Sequence, residues 1–285
     1  MTTTGLTADF ERDVRFAVAA PDRVSVWLLR LPEDGLTAAA VRALADTVDA
    51  DTRRRAEALR RPADRESTLA AHAMLRGLLA PVLEQQPRDV VVVRSCLTCG
   101  SAEHGKPSLG PGAPAQFSIA HSGRLVAVAL GSPETAVGVD VELERADTDW
   151  AAVRADVFSD REWLTDSAES DPSRARTRAW ARKEAVVKTT GHGLALPLRR
   201  VLPVVGAADV SGRQPWSCSL SVDDGRGIRH RLVRGWDLPP ATAGDGYAAS
   251  VGFESDAGQG ASPAQHTVSS LSMAHDGRLT LKTNP

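Results

Sequence analysis

"RARTRAWARKEAVVKTTGHGL", residues 174–194, is the stretch on which the reading of this chain turns. Trp180, Glu184 and Lys188 recur at i, i+4 spacing and share one face of a helix. Gly191 or Gly193 then stands where a left-handed residue ends a helix. The allocation of charge is unusual. The chain writes 30 positive charges as Arg and only four as Lys, yet Lys183 and Lys188 flank Glu184 here. Lys106 sits in "HGKP", and only Lys282 lies elsewhere. Lys is a compact point charge on a flexible stem, whereas Arg is a planar fork, so the two differ against a phosphate. Read alone, Glu184 and Lys188 make an ordinary surface pair worth about 0.2–0.5 kcal/mol.

Upstream of this helix, "AVGVDVELE" from Ala136 alternates as a strand, with Val137, Val139, Val141 and Leu143 on one face. "DVFSDREWL" predicts a further helix, with the polar loop "TDSAESDPS" after it. "CSLSVDD", "RHRLVRGW" and "GYAASVGF" follow as antiparallel strands. The first half repeats this order. "DRVSVWLLRL" from Asp22 is a strand, and a helix begins near Asp64. Its Leu75, Leu78, Leu79, Val82 and Leu83 form a core-facing stripe, with Pro81 expected to kink or end it. "DVVVVRS" and "AQFSIAHSGRLVAVALG" add strands. The expected class is α+β, with an N-terminal subdomain over 1–133 and a C-terminal one over 134–254, joined near "GSPET". Residues 255–285, rich in Gly, Ser, Ala and Gln, are expected as a loosely attached tail with one hairpin at "LSMAHDGRLTLK".

Composition excludes several classes. With 285 residues, 42% of them hydrophobic and 25% charged, the chain suits a globular protein with a real core. A formal net charge of −2 argues against general nucleic-acid affinity. Locally, "TRRRAEALRRPADR" from Thr52 concentrates six arginines, as a solvated helix face or a site for an anion. "MTTTGLTADFERD" lacks the features of a secretory signal, and "LVAVALG" is too short to span a bilayer. Three cysteines do not make a disulfide framework. A cytoplasmic location is expected.

Asp140 and Glu142 project from one face of their strand, where like charges repel unless they face water or share a cation. Two oxygens from one strand suit a Mg²⁺ site completed by water and phosphate, and Glu184 offers a third carboxylate. His121 ends the strand of "FSIAHSG", where an imidazole can donate to a phosphate or serve structure. Neither a Walker loop nor GxGxxG is present. "CLTCGSAEHGKP" holds Cys96, Cys99 and His104, a partial zinc set without a fourth ligand.

Together, "GVDVE" and, some forty residues on, "WARKEAVVKTTGHGL" resemble the paired signature of 4′-phosphopantetheinyl transferases. "GKP", "FSIAHSG" and the length point to the larger, surfactin-type subfamily. The resemblance covers roughly Asp51 to Leu198. It implies two pseudo-symmetric subdomains, each a small antiparallel sheet with packed helices, and a ligand in the cleft between them. Such enzymes move phosphopantetheine from coenzyme A to a serine of an apo acyl or peptidyl carrier protein, releasing adenosine 3′,5′-bisphosphate. By similarity, Asp140, Glu142 and Glu184 would hold Mg²⁺ (Mn²⁺ as a substitute), and Glu184 would serve as base. Lys188 and Lys183 would neutralise the pyrophosphate; Arg65, Lys106, Pro107 and His121 would hold the nucleotide. Many relatives carry Ser where this chain has Ala120, although Ser118 and Ser122 stand close by. The expected partners are coenzyme A and a carrier protein serving fatty acid, polyketide or peptide synthesis, with no nucleic acid, no membrane and a monomeric enzyme. Two other readings stay open: another Mg²⁺-dependent phosphotransfer enzyme on the same scaffold, and a non-catalytic nucleic-acid module using the Arg-rich segment or the Cys turn.

Overall fold

The structure is a computed structural model that describes residues 8–19, 23–97, 99–210, 212–223, 227–255, 265–273 and 279–282. In chain order the first elements are α1 (Ala8–Ala19), β1 (Arg23–Arg30), α2 (Ala38–Thr47), α3 (Ala50–Glu57) and α4 (Pro62–Leu83). Five strands follow: β2 (Val93–Ser95), β3 (Lys106–Ser108), β4 (Gln116–Ser122), β5 (Leu125–Gly131) and β6 (Thr135–Leu143). Then come α5 (Trp150–Val157), α6 (Asp160–Ser167), α7 (Pro172–Thr190), β7 (Val204–Val205), β8 (Gln214–Asp223) and β9 (Ile228–Asp237). The chain closes with α8 (Pro240–Ala243), β10 (Tyr247–Ser255), β11 (Gln265–Met273) and β12 (Leu279–Lys282). Among the described residues, no helix is long and apolar enough to cross a membrane. The α+β class expected from the sequence is present.

The chain divides into two compact units, 1–92 with 109–135 and 255–285, and 93–108 with 136–254. This division differs from the sequence boundaries in two places. The short hairpin of β2 and β3 belongs with the second half, and the C-terminal stretch belongs with the first.

In the first unit the sheet order is β12-β11-β1-β5-β4. β5 lies between β1 and β4, antiparallel to both, and all seven of its residues are buried. β11 runs parallel to β1, with Arg23 opposite Gln265 and Arg30 opposite Ser272. The sheet is antiparallel as expected at its other pairs and carries this one parallel pair in addition: parallel neighbours need a long connection rather than a hairpin, and most of the chain separates these two. The C-terminal stretch expected as a tail thus contributes two strands to this sheet. α4 lies against β4 and β5. Its predicted stripe is in the core at Leu75, Leu78 and Leu79, with Val82 and Leu83 half-buried beside them. Pro81 falls in the last turn, and the helix ends two residues later at Leu83, followed by Glu84 in the left-handed region.

In the second unit the order is β6-β10-β9-β8-β7, and the pairs of β8 with β9 and β9 with β10 are antiparallel. α7 supplies Ala185, Val186 and Val187 to a core shared with Trp216, Cys218 and Val233. Pro172 at its first turn, the Asp171 side chain accepting from the Arg174 N–H, and Gly191 at φ +79° mark its ends. Gly191 is thus the residue that stops the helix.

Candidate active site

β6 carries alternating valines into the core, with Val137, Val139 and Val141 all at or below 1% exposure. The opposite face begins at Gly138, and there the strand meets α7 at very close range. A Cβ on Gly138 would lie 2.2 Å from the Ala185 carbonyl oxygen and 2.5 Å from the Thr189 nitrogen. Only a residue without a side chain permits that approach. Two residues along the same face, Asp140 is 4% exposed.

The close approach brings three charged groups of α7 and β6 together. Lys188 Nζ donates to Asp140 Oδ1 at 2.6 Å. The other carboxylate oxygen, Asp140 Oδ2, is buried and has no hydrogen-bond partner. Burial pushes the Asp140 carboxyl above the usual carboxylate range, and Lys188 offsets only part of that. Burial and then the Asp140 charge push Glu184 upward too. Burial alone would lower Lys188, but Asp140, Glu184 and Glu142 outweigh it and hold the ammonium above its ordinary value. Lys188 remains 30% exposed, at the rim of the group. The result is an acidic cluster with one lysine, two destabilised carboxylates and an unsatisfied buried oxygen. Hard oxygen donors with such a deficit suit a hard divalent cation.

Lys183 does not join this cluster, which corrects its expected place at the phosphates. It is fully buried, with Nζ donating to Glu162 at 3.0 Å, to Leu198 O at 3.0 Å and to Val201 O at 2.7 Å. All three ammonium hydrogens are engaged, so it holds α6 and the 198–201 turn against α7. Burial lowers its pKa, against the pull of Glu162.

Lys106 is also engaged within the second unit. Its Nζ donates to Val137 O at 2.8 Å and to Thr189 O at 3.3 Å, which ties the β2–β3 hairpin to β6 and to the end of α7. Burial, then Arg231, lowers its pKa to about 8. Pro107 lies opposite Arg94 in that hairpin.

Arg65 and His121 lie in the first unit. Arg65 is exposed on the first turn of α4, where its Nε donates to Leu59 O at 2.6 Å. His121 Nε2 lies 3.4 Å from Thr68 Oγ1, one turn along α4 from Arg65. A clamp that sequence reasoning missed holds these two elements in register. Arg124 Nη1 donates to Glu66 Oε2 at 2.7 Å with both side chains nearly buried. Ser67 Oγ donates to Gly123 O at 2.7 Å. Glu66 and Ser67 directly follow Arg65, and Gly123 and Arg124 directly follow "HS", so adjacency to two singled-out residues was the available signal.

Comparison with known proteins bears on this arrangement. Residues 136–227, which span β6 through α7 and into β8, match the family described as the 4′-phosphopantetheinyl transferase superfamily. The 4′-phosphopantetheinyl transferase AcpT of Salmonella typhimurium is 35% identical over 133 residues, 45% of this chain and 59% of that protein. The chain therefore spans less than two thirds of that relative's length. The 4′-phosphopantetheinyl transferase HetI of a Nostoc species is 26% identical over 228 residues, 77% of this chain and 91% of that protein. A 4′-phosphopantetheinyl transferase of Bacillus subtilis is 28% identical over 154 residues, 53% of this chain and 63% of that protein.

Proposed function

We propose, because residues 136–227 match the 4′-phosphopantetheinyl transferase superfamily, that the chain belongs to that superfamily and transfers 4′-phosphopantetheine from coenzyme A to a serine of an apo acyl or peptidyl carrier protein. The surfactin-type subfamily and its pseudo-symmetric plan belong to the same proposal. The observation that carries it is the buried, partnerless Asp140 Oδ2 beside Glu184 and Lys188.

Asp140, Glu142 and Glu184 would hold a divalent cation, Mg²⁺ by its preference for hard oxygen ligands. When bound, the ion supplies Lewis-acid polarisation of the pyrophosphate. The protein's own residues supply the rest. Lys188, at the exposed rim, donates to a pyrophosphate oxygen and balances the charge that builds there. Glu184, directly or through a water it binds, takes the proton of the serine hydroxyl. The serine oxygen forms its bond to the β-phosphorus as the bond from that phosphorus to the bridging oxygen breaks. Adenosine 3′,5′-bisphosphate leaves with that oxygen. Arg65 and His121 take the 3′-phosphate end. Lys106 keeps one ammonium hydrogen for the nucleotide, and Pro107 holds the hairpin that carries it.

The experiment is to incubate the protein with coenzyme A, Mg²⁺ and a panel of apo carrier proteins, then weigh the carriers. The expected result is a mass gain of one phosphopantetheine on the carrier serine, lost with chelator and with Asp140→Ala. Release of adenosine bisphosphate without any modified carrier would instead favour a different phosphotransfer reaction. A chelator-insensitive transfer would remove the cation from the mechanism.

A further inference from the structure

The turn between β2 and β3 plays no part in the chemistry above, yet it gathers three soft metal ligands. The Cys96 and Cys99 sulfurs and a ring nitrogen of His104 all lie within 4.8 Å of one another. Cys99 Sγ and His104 Nε2 are only 3.3 Å apart. Neither cysteine is in a disulfide. The backbone is already wound for this purpose. Cys96 N donates to Ser101 O at 2.9 Å, and Gly100 N donates back to Cys96 O at 2.8 Å. Gly100, directly after the second cysteine, is left-handed at φ +71°, which lets the chain reverse toward His104.

From these contacts we infer that Cys96, Cys99 and His104 bind one Zn²⁺ ion, with water in the fourth position. The metal displaces one proton from each thiol, and the two thiolates neutralise its charge. Tetrahedral zinc, with Zn–S near 2.3 Å and Zn–N near 2.0 Å, sets ligand atoms about 3.5–3.8 Å apart. The pair already at 3.3 Å meets that spacing, and a contact at the 4.8 Å limit needs to close by only about 1 Å. Cys99 and His104 are exposed, so an ion from solvent has a path in and the side chains are free to close.

The site also has a structural consequence. Ser95 pairs with Lys106 across the hairpin, so the proposed ligands fill the loop that this pair closes. A bound ion cross-links that loop and holds the strand whose lysine reaches Val137 and Thr189. The site is separate from the carboxylates of β6 and α7 and differs from them in kind: two sulfurs and an imidazole select zinc, whereas three carboxylates select Mg²⁺.

The test uses the full chain, stripped of metal and kept under reductant. Zn²⁺ is titrated against a chromophoric chelator, and Co²⁺ is titrated separately as a spectroscopic substitute. One equivalent of tightly held Zn²⁺ is expected, together with a thiolate-to-cobalt charge-transfer band that Zn²⁺ abolishes. Cys96→Ser and Cys99→Ser should each lose the band, and His104→Ala should weaken it. Cys218→Ser and Asp140→Asn should keep it, since neither residue is in the cluster. Zinc uptake without a thiolate band would assign the metal to carboxylates and overturn the inference. So would a reduced wild-type protein that takes up neither metal, or a band that survives both cysteine substitutions.

Discussion

Replacing Gly138 with alanine adds one methyl group at the closest approach of β6 to α7. The new carbon would lie 2.2 Å from Ala185 O and 2.5 Å from both Thr189 N and Thr189 Oγ1. Non-bonded contacts of carbon settle near 3.5 Å, so strand and helix must part by about 1 Å. Two of the three atoms met are helix backbone, which cannot rotate away as a side chain tip would. Overpacking of this kind costs about 1–3 kcal/mol, and backbone partners place it at the upper end. At about 2–4 °C per kcal/mol, the melting temperature should fall by roughly 6–12 °C. The same displacement moves Asp140, two residues on, away from Lys188, so binding of the proposed divalent cation should weaken as well. Gly77→Ala is the control. Gly77 lies inside α4 with nothing within 4 Å of its added carbon, so alanine should stabilise by about 0.4–1 kcal/mol. Thermal melts of the two variants should therefore move in opposite directions. A Gly138→Ala protein that melts with the wild type would refute the close approach.

Lys183→Met removes the cation from Glu162 and leaves two buried carbonyls without a donor, so urea denaturation should show a loss of about 3 kcal/mol. Lys183→Arg should not restore it, because a planar fork does not reproduce three divergent donors. Lys188→Arg should leave the melting temperature nearly unchanged, since the charge pair with Asp140 is kept, while transfer to an apo carrier slows greatly; full activity would mean that the lysine is not at the phosphates. Arg65→Ala should weaken coenzyme A by about 1–3 kcal/mol and 3′-dephospho-coenzyme A much less, and calorimetry showing equal losses would remove Arg65 from the 3′-phosphate. Lysine-labelled protein shows only four ammonium environments, and one, assigned by Lys106→Arg, should titrate near 8. Because that folded value lies below the unfolded value of about 10.4, Lys106 costs stability at pH below 8, and the cost fades as pH rises through that interval. A Lys106 signal that titrates like free lysine would contradict its burial.

The sequence by itself determined the elements whose signals are local. Alternating valines made β6 legible, the leucine stripe made α4 legible, and Gly191 marked the end of α7, because spacings of two and of three or four residues are properties of one segment alone. The common face of Glu184 and Lys188 was legible for the same reason. By contrast, α1 and α2 were not read as helices, although each buries one apolar face, Phe10, Val14, Ala17 and Val18 in α1 and Ala40 and Leu44 in α2; both are short, and what they pack on settles them. Nor was the parallel pairing of β11 with β1 legible, since no local pattern names a strand's distant neighbour. Tertiary structure alone decided what the lysines do. Lys183 and Lys188 look alike in sequence, yet one is enclosed by Glu162 and two carbonyls while the other reaches Asp140. Which ammonium is buried, and which carboxylate loses its water, depends on how closely two distant segments approach. At this site that distance is set by the missing side chain of Gly138, through desolvation that falls on Asp140 and only partly on Glu142.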